Sequence, residues 1–388
     1  MANDFGAARR LVPRACGLIA AAVLVAALLA PAQRLGAADT LPSSLGDDAF
    51  WALIERASEP SGAFQSENFL SNETGFQAVI PLLKRTTAPD GVYMGVGPEQ
   101  NFTYIAAMHP KIAFIVDIRR QNMLEHLIYK SLFEMSADRT EFVSRLFSLK
   151  RPAGLNAKST ADELFRAYGA MPVDHDAFAK NLQDIRELLL KKHKFGLTSE
   201  DEANLEHVFT VFHDFGPEIN YNSGAGRGRR GGGGMPDYVE LMTAMDRQGE
   251  QRSFLASEEN YRTVRDLENR NLIVPLTGDF GGTKALRAVG QYVKDHNATV
   301  TAFYLSNVER YLFQSNGNVN GGWTSFYENV ATLPLDASST FIRSGGGGLQ
   351  GGFGMRAPNV MASIQETLAA VKDGRIRTYN DIFTIVKQ

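Results

Sequence analysis

Residues 91–129 read GVYMGVGPEQNFTYIAAMHPKIAFIVDIRRQNMLEHLIY, and this stretch decides the fold. Val92, Tyr93 and Met94 form a short apolar run that reads as a buried strand. A turn carrying Gly95 and Gly97 follows. Over residues 101–108, Phe102, Ile105 and Ala106 recur at spacings that share one helix face. His109 precedes Pro110, and a residue before proline is pushed out of the α region, so the helix stops there. Residues 112–116 predict a second buried strand ending at Asp117, and Leu124, Leu127, Ile128 and Leu132 give the next helix its apolar side. The whole is one β-α-β unit near the minimum size.

A unit of this kind has a physical use. Glycine lets the first turn bend tightly and lets a ligand approach the backbone, and the following helix presents unpaired N–H groups at its start. An acidic residue at the tip of the second strand, about 20 residues beyond the glycines, can accept hydrogen bonds from a ribose. Gly95, Gly97, Gln100, Asn101, Asp117 and Arg119 are therefore candidate cofactor contacts. Where a dinucleotide fingerprint has its third glycine, this chain has Glu99 and Gln100. Glu99 is expected to repel a pyrophosphate, which favours a ligand without phosphates. The competing reading is a unit that only packs, with Asp117 capping a helix.

VYMGVGPEQN followed by FIVDIRRQN resembles the first motif and acidic second-strand tip of class I S-adenosylmethionine-dependent methyltransferases. The stretch also resembles uncharacterised exported bacterial proteins with that core. A weaker resemblance, on DIRRQNMLEHLIYKSLFEM and FYLSNVERYLF, is to the aminocarboxypropyl transferases of betaine-lipid synthesis. Together these cover roughly residues 68–344. They imply a Rossmann-like α/β fold with a doubly wound, mostly parallel sheet, S-adenosylmethionine as cofactor, and transfer, most simply of a methyl group, to an unknown acceptor.

The chain begins as a targeting segment. Arg9, Arg10 and Arg14 precede an apolar run over residues 17–30, and Gly36, Ala37 and Ala38 supply small residues for cleavage. Residues 1–38 thus read as a signal peptide of an exported, periplasmic or secreted protein. An uncleaved N-terminal membrane anchor is the alternative, although the run is shorter than the roughly 20 residues of a comfortable span. The lone cysteine, Cys16, lies in this segment, so no internal disulfide or cysteine metal site is available. S-adenosylmethionine is a cytosolic cofactor, and an exported domain would not normally meet it. A non-catalytic periplasmic binding or interaction protein on the same scaffold therefore stands beside the two transferase readings. The net charge of −3 argues against a nucleic-acid binder driven by overall electrostatics.

Residues 39–85 read as helices joined by a loop in which Ser71, Asn72 and Glu73 precede the glycine turn and can fold over the ligand. Residues 86–135 form the first half of the α/β domain. Residues 136–223 are helical throughout, an insert of the kind that makes a lid or subdomain. Its His193, His207 and His213 read as solvated or capping residues rather than metal ligands, because His207 and His213 do not share a helix face well. Residues 224–234, with Arg227, Arg229 and Arg230 among glycines, read as a flexible linker that an anionic substrate or lipid headgroup could also meet.

Residues 235–344 supply the second half of the domain. Strands are expected at 253–256, 272–276, 300–305 and 339–343, each of the first three followed by a helix. Ligands bind at strand tips in open α/β sheets. Gly278, Asp279 and Phe280, after the 272–276 run, become further candidate cofactor contacts. Ser306 and Asn307 join Glu73 as candidate substrate contacts. Residues 345–388 are expected to form a second glycine-rich loop and helices at 360–372 and 378–386.

Overall fold

The computed structural model describes residues 1, 38–169, 171–224, 235–314, 322–345 and 358–387. Nearly all of the segment expected to be a signal peptide, the Arg227, Arg229 and Arg230 segment and most of the second glycine-rich loop lie outside the described residues. The chain divides into two units, Met1–Ala38 and Asp39–Gln388, and all that follows concerns the second. Among the described residues no helix is long and apolar enough to cross a membrane.

Six strands form one sheet in the order β3-β2-β1-β4-β5-β6. They are β1 (Val92–Gly95), β2 (Ile112–Asp117), β3 (Ile273–Thr277), β4 (Val300–Ser306), β5 (Thr340–Arg343) and β6 (Val360–Ser363). All adjacent pairs run parallel except β5 and β6, which are antiparallel. Every residue of β1, β2 and β3 is buried, which is why these strands are continuous apolar runs rather than alternating ones. The order makes the fold a mostly parallel, doubly wound α/β sheet. The chain winds outward through β2 and β3, then returns to place β4 on the other side of β1. The crevice between β1 and β4 is thus the topological switch point, where such sheets bind ligands.

The helices that cover the sheet and fill the insert are α1 (Asp47–Ala57), α2 (Ile80–Thr86), α3 (Gln100–Met108), α4 (Arg120–Met135), α5 (Arg139–Phe147), α6 (Ala161–Tyr168), α7 (His175–Arg186), α8 (Ser199–Phe215), α9 (Tyr238–Thr243) and α10 (Glu258–Asn269). After β3 come α11 (Ala285–Asp295), α12 (Val308–Gln314), α13 (Gly322–Val330) and α14 (Ile364–Lys372). Many starts are fixed locally. Thr160 with Glu163 and Thr198 with Asp201 form reciprocal capping boxes, and Asp138 and Asp174 accept from the first-turn N–H groups.

Three sequence expectations are corrected. Residues 253–256 are turns and bends rather than a strand. Phe254 and Leu255 are buried there because Phe254 packs edge-on against Phe102, so their apolarity reflects core contact without sheet pairing. The expected helix over 360–372 splits: Val360–Ser363 pairs antiparallel with β5, and Ser363 then caps α14. The run Val-Met-Ala-Ser suits either state, and the open edge of β5 decides it. The last segment is a 3-10 turn, Tyr379–Thr384, rather than a full helix over 378–386.

His193 is a further correction, since it is buried rather than solvated. A π-helical turn, Glu187–Lys192, extends α7 and delivers it between two carboxylates. Its Nε2 lies 3.0 Å from Glu134 of α4, and its Nδ1 lies 2.9 Å from Asp47 of α1. Lys130, also buried, pairs with Glu134 at 2.9 Å. Burial disfavours the imidazolium, but the bonds to Glu134 and Asp47 outweigh it and hold His193 above its ordinary pKa. Burial likewise works against the Glu134 carboxylate, yet His193 and Lys130 lower it to about 2.

The signs give a pH window for stability. The His193 contribution is complete below the unfolded histidine value near 6.5 and is lost as pH rises through the raised folded value. The Glu134 contribution is complete above the ordinary carboxylate range and is lost as pH falls toward 2. His193→Gln should therefore cost about 2 kcal/mol at pH 6, and the deficit should shrink in alkaline buffer. Urea unfolding across pH measures this; a pH-independent deficit would remove the ion network as its cause.

Candidate functional site

Four strand tips meet around one cavity of about 390 Å³, a size within the range of small-molecule sites. The β1 turn supplies Val96 and Gly97, and α3 supplies Gln100. Asp117 and Arg119 come from the β2 tip, Gly278, Asp279 and Phe280 from the β3 tip, and Ser306 and Asn307 from the β4 tip. Phe64, Asn68, Ser71 and Asn72 close it from the N-terminal segment, and Tyr311 on α12 forms the facing wall. Nine of the twelve residues singled out in the sequence line this space; Gly95, Asn101 and Glu73 do not.

Those three build the site from behind. Asn101 is fully buried. Its Nδ2 donates to the carbonyls of Val96, Gly97 and Pro98 at 3.0, 3.0 and 2.8 Å, and its Oδ1 accepts from Tyr93 Oη at 2.8 Å. The amide thus clamps the turn that a free backbone would leave mobile. A Cβ on Gly95 would stand 1.9 Å from Asn101 Oδ1, so glycine is needed here to admit the clamp. Gly97 has φ +76°, a conformation that side chains rarely adopt. Its carbonyl also accepts from His126 Nε2 at 2.9 Å. Burial first, against that bond, lowers the His126 pKa to about 4, so the ring is neutral with its proton on Nε2.

Asp117 has a partner the sequence did not disclose. Arg119 donates its backbone N–H to Asp117 Oδ1 at 2.9 Å, its Nε to the same oxygen at 3.0 Å and its Nη2 to Oδ2 at 3.1 Å. Both side chains are almost fully buried. Arg119 also donates to the Glu67 carbonyl and lies 5.8 Å from the Phe64 ring centre. Three of the roughly four lone-pair sites of Asp117 are therefore filled, which leaves Oδ2 room for one ligand donor. Asp279 accepts from Gly281 N at 2.8 Å within its own loop. That loop is held by Glu59, whose carboxylate accepts from the backbone N–H of Asp279 and Lys284 at 2.8 and 2.7 Å.

The expected role of Glu99 is corrected. Its side chain is fully buried, does not line the cavity, and accepts from Ser71 N at 3.3 Å. Burial, against backbone hydrogen bonds, raises its pKa to about 8, so it carries a proton at neutral pH and repels nothing. The charge of the described lining is mixed and largely paired. Among the described lining residues there are two carboxylates and one guanidinium, and that guanidinium is committed to Asp117. Phe64, Tyr221, Phe280 and Tyr311 supply aromatic faces, and Phe64 meets Tyr311 edge-on at 5.3 Å. Gln100 Oε1 is buried without a partner, an acceptor available to a ligand. Such a wall suits a neutral or cationic molecule with hydroxyl or ammonium donors and disfavours phosphates.

Sequence reasoning missed several contributors. Phe64, Asn68 and Tyr311 line the cavity from outside the β-α-β unit, and Tyr221 comes from the end of the insert. It also missed a buried polar stripe on α4: Asn122, Glu125, His126 and Tyr129, each with at least one side-chain atom lacking a partner. Their spacing of i, i+3, i+4, i+7 was visible as one helix face, but it reads as a solvated face until the insert covers it. His213 is buried against Phe178 and 3.2 Å from His175, while His207 pairs with Glu67 at 2.6 Å. Among the described residues no group of three or more His, Cys, Asp or Glu side chains is placed to hold a metal.

A family described as a domain of unknown function, DUF7790, matches residues 68–372. That span includes all six strands and the helical insert. No curated protein matches the chain.

Proposed function

The chain belongs to the DUF7790 family, and we propose that this member binds S-adenosylmethionine at the switch point and transfers a group from it to a second small molecule. The observation that carries the reading is the lining of the cavity. One wall is a clamped glycine turn, the opposite wall is aromatic, and among the described lining residues the two carboxylates outnumber the one guanidinium, which is committed to Asp117. The residues present fit the group. Gln100 Oε1 and Asp117 Oδ2 are acceptors for ammonium and ribose donors, the aromatic faces suit the adenine, and the carboxylates suit a sulfonium. When bound, S-adenosylmethionine supplies carbon atoms made electrophilic by that sulfonium. The chain contributes position: Gly97 and Gln100 fix one end, Asp117 the other, and Ser306 and Asn307 face the space left for the acceptor.

Titration calorimetry of the purified chain with S-adenosylmethionine should give a saturable heat for one site. Absence of heat would sink both transferase readings. With a panel of hydroxyl and amine acceptors, S-adenosylhomocysteine as product marks methyl transfer, and methylthioadenosine marks aminocarboxypropyl transfer. Saturable binding without either product supports the second reading, a non-catalytic ligand-binding protein. The basic and apolar leader over residues 1–38 supports that reading and an extracytoplasmic location.

A further inference from the structure

The β4 tip carries a polar pair whose arrangement exceeds what holding the turn requires. Ser306 has φ +49°, in the left-handed region where a serine costs free energy. The β4–β5 register shifts between Tyr304 and Ser306, an irregularity of the type that re-aims a side chain. The result places Ser306 on the cavity wall with its Oγ donating to Glu73 Oε1 at 2.5 Å. Glu73 is 3% exposed. Its other oxygen accepts from Tyr304 Oη and from Asn359 Nδ2, both at 2.9 Å. Asn359 is itself fixed by Tyr104 Oη at 3.1 Å. A hydroxyl facing the cavity, a carboxylate behind it and two donors holding that carboxylate in place form the geometry of an oriented base.

We propose that Ser306 and Glu73 are the proton-accepting pair of this cavity, and that the second substrate is a molecule presenting an O–H or N–H group beside Ser306. The inference rests on the sulfonium reading above. In the transfer, Ser306 Oγ takes the proton of the acceptor's O–H or N–H and hands its own proton to Glu73 Oε1, which becomes a carboxylic acid. The acceptor's freed electron pair forms the bond to the transferred carbon. The carbon–sulfur bond breaks with its pair leaving on sulfur, so the sulfonium becomes a neutral thioether. Ser306 is the catalytic residue of the pair, and Glu73 acts through it.

The proton transfer can be read without any sulfonium. The purified full chain is treated with diisopropyl fluorophosphate, and the adduct is located by mass spectrometry after digestion. Attack by Ser306 Oγ forms an O–P bond, breaks the P–F bond with loss of fluoride, and passes the serine proton to Glu73. The expected result is an adduct on Ser306 that is absent in Ser306→Ala and forms about 100-fold more slowly in Glu73→Gln. Glu73→Gln keeps the shape of the carboxylate. If that variant does not fold, Glu73→Asp carries the same test: it keeps the carboxylate but draws it back from Ser306 Oγ, and labelling should again slow. An unlabelled Ser306, or a rate in Glu73→Gln or Glu73→Asp equal to that of the native chain, overturns the proposal. Failure here leaves the calorimetric result standing, and failure of S-adenosylmethionine to bind leaves the labelling standing, so the two are told apart.

Discussion

Asp117→Ala should lower the stability of the fold by about 3–5 kcal/mol, the cost of leaving a buried charge without its partner. Arg119 is 6% exposed, and its remaining acceptor is the Glu67 carbonyl. Burial acts against the Arg119 cation, and Asp117 more than restores it. Removing the carboxylate strands a guanidinium beside the glycine turn. Urea unfolding with the slope held common measures the loss; a deficit below about 1 kcal/mol would mean that the pair is solvated and weak. The consequence for ligand work is direct. A fall in affinity in Asp117→Ala would mix loss of the proposed ligand acceptor with a displaced arginine. Asp117→Asn keeps the volume and one acceptor oxygen, so the comparison of the two variants isolates the contact.

The second large effect concerns Gly95. Its added methyl would stand 1.9 Å from Asn101 Oδ1 and 2.9 Å from Tyr93 Oη. Asn101 cannot swing aside cheaply, because four hydrogen bonds hold its amide in a fully buried place. Gly95→Ala therefore adds overpacking of about 1–3 kcal/mol to the loss of buried polar partners, about 1–3 kcal/mol more. The turn carrying Gly97 is then released, and the affinity for any ligand of the cavity should fall together with the stability. A Gly95→Ala chain that melts like the native one and binds as tightly would show that Asn101 is not the clamp described here.

Both effects show where reading by residue succeeded and where it stopped. The strand-turn-helix order around β1 and β2 was legible because buried parallel strands are continuous apolar runs and helices repeat near 3.6 residues. The glycines were legible because the turn after β1 has few alternatives. Asn101 and Glu73, expected as ligand contacts, do not line the cavity: Asn101 holds the turn carbonyls from behind and Glu73 stands behind Ser306. Glu99 was expected to act through its charge, which burial removes.

By itself the sequence determined the β-α-β unit, the sheet class, the acidic tip at Asp117 and the places where tight turns need glycine, because each depends on neighbours within a few residues. Tertiary structure alone decided which polar side chains face the cavity and which hold it up. Glu73 meets Asn359 across 286 residues of chain, and Glu59 meets Lys284 across 225. The pairing of β6, the aromatic wall on α12 and the cover over the α4 stripe arise in the same way. Burial and hydrogen-bond partners are set by whatever the fold brings alongside, and linear spacing carries no record of contacts that distant.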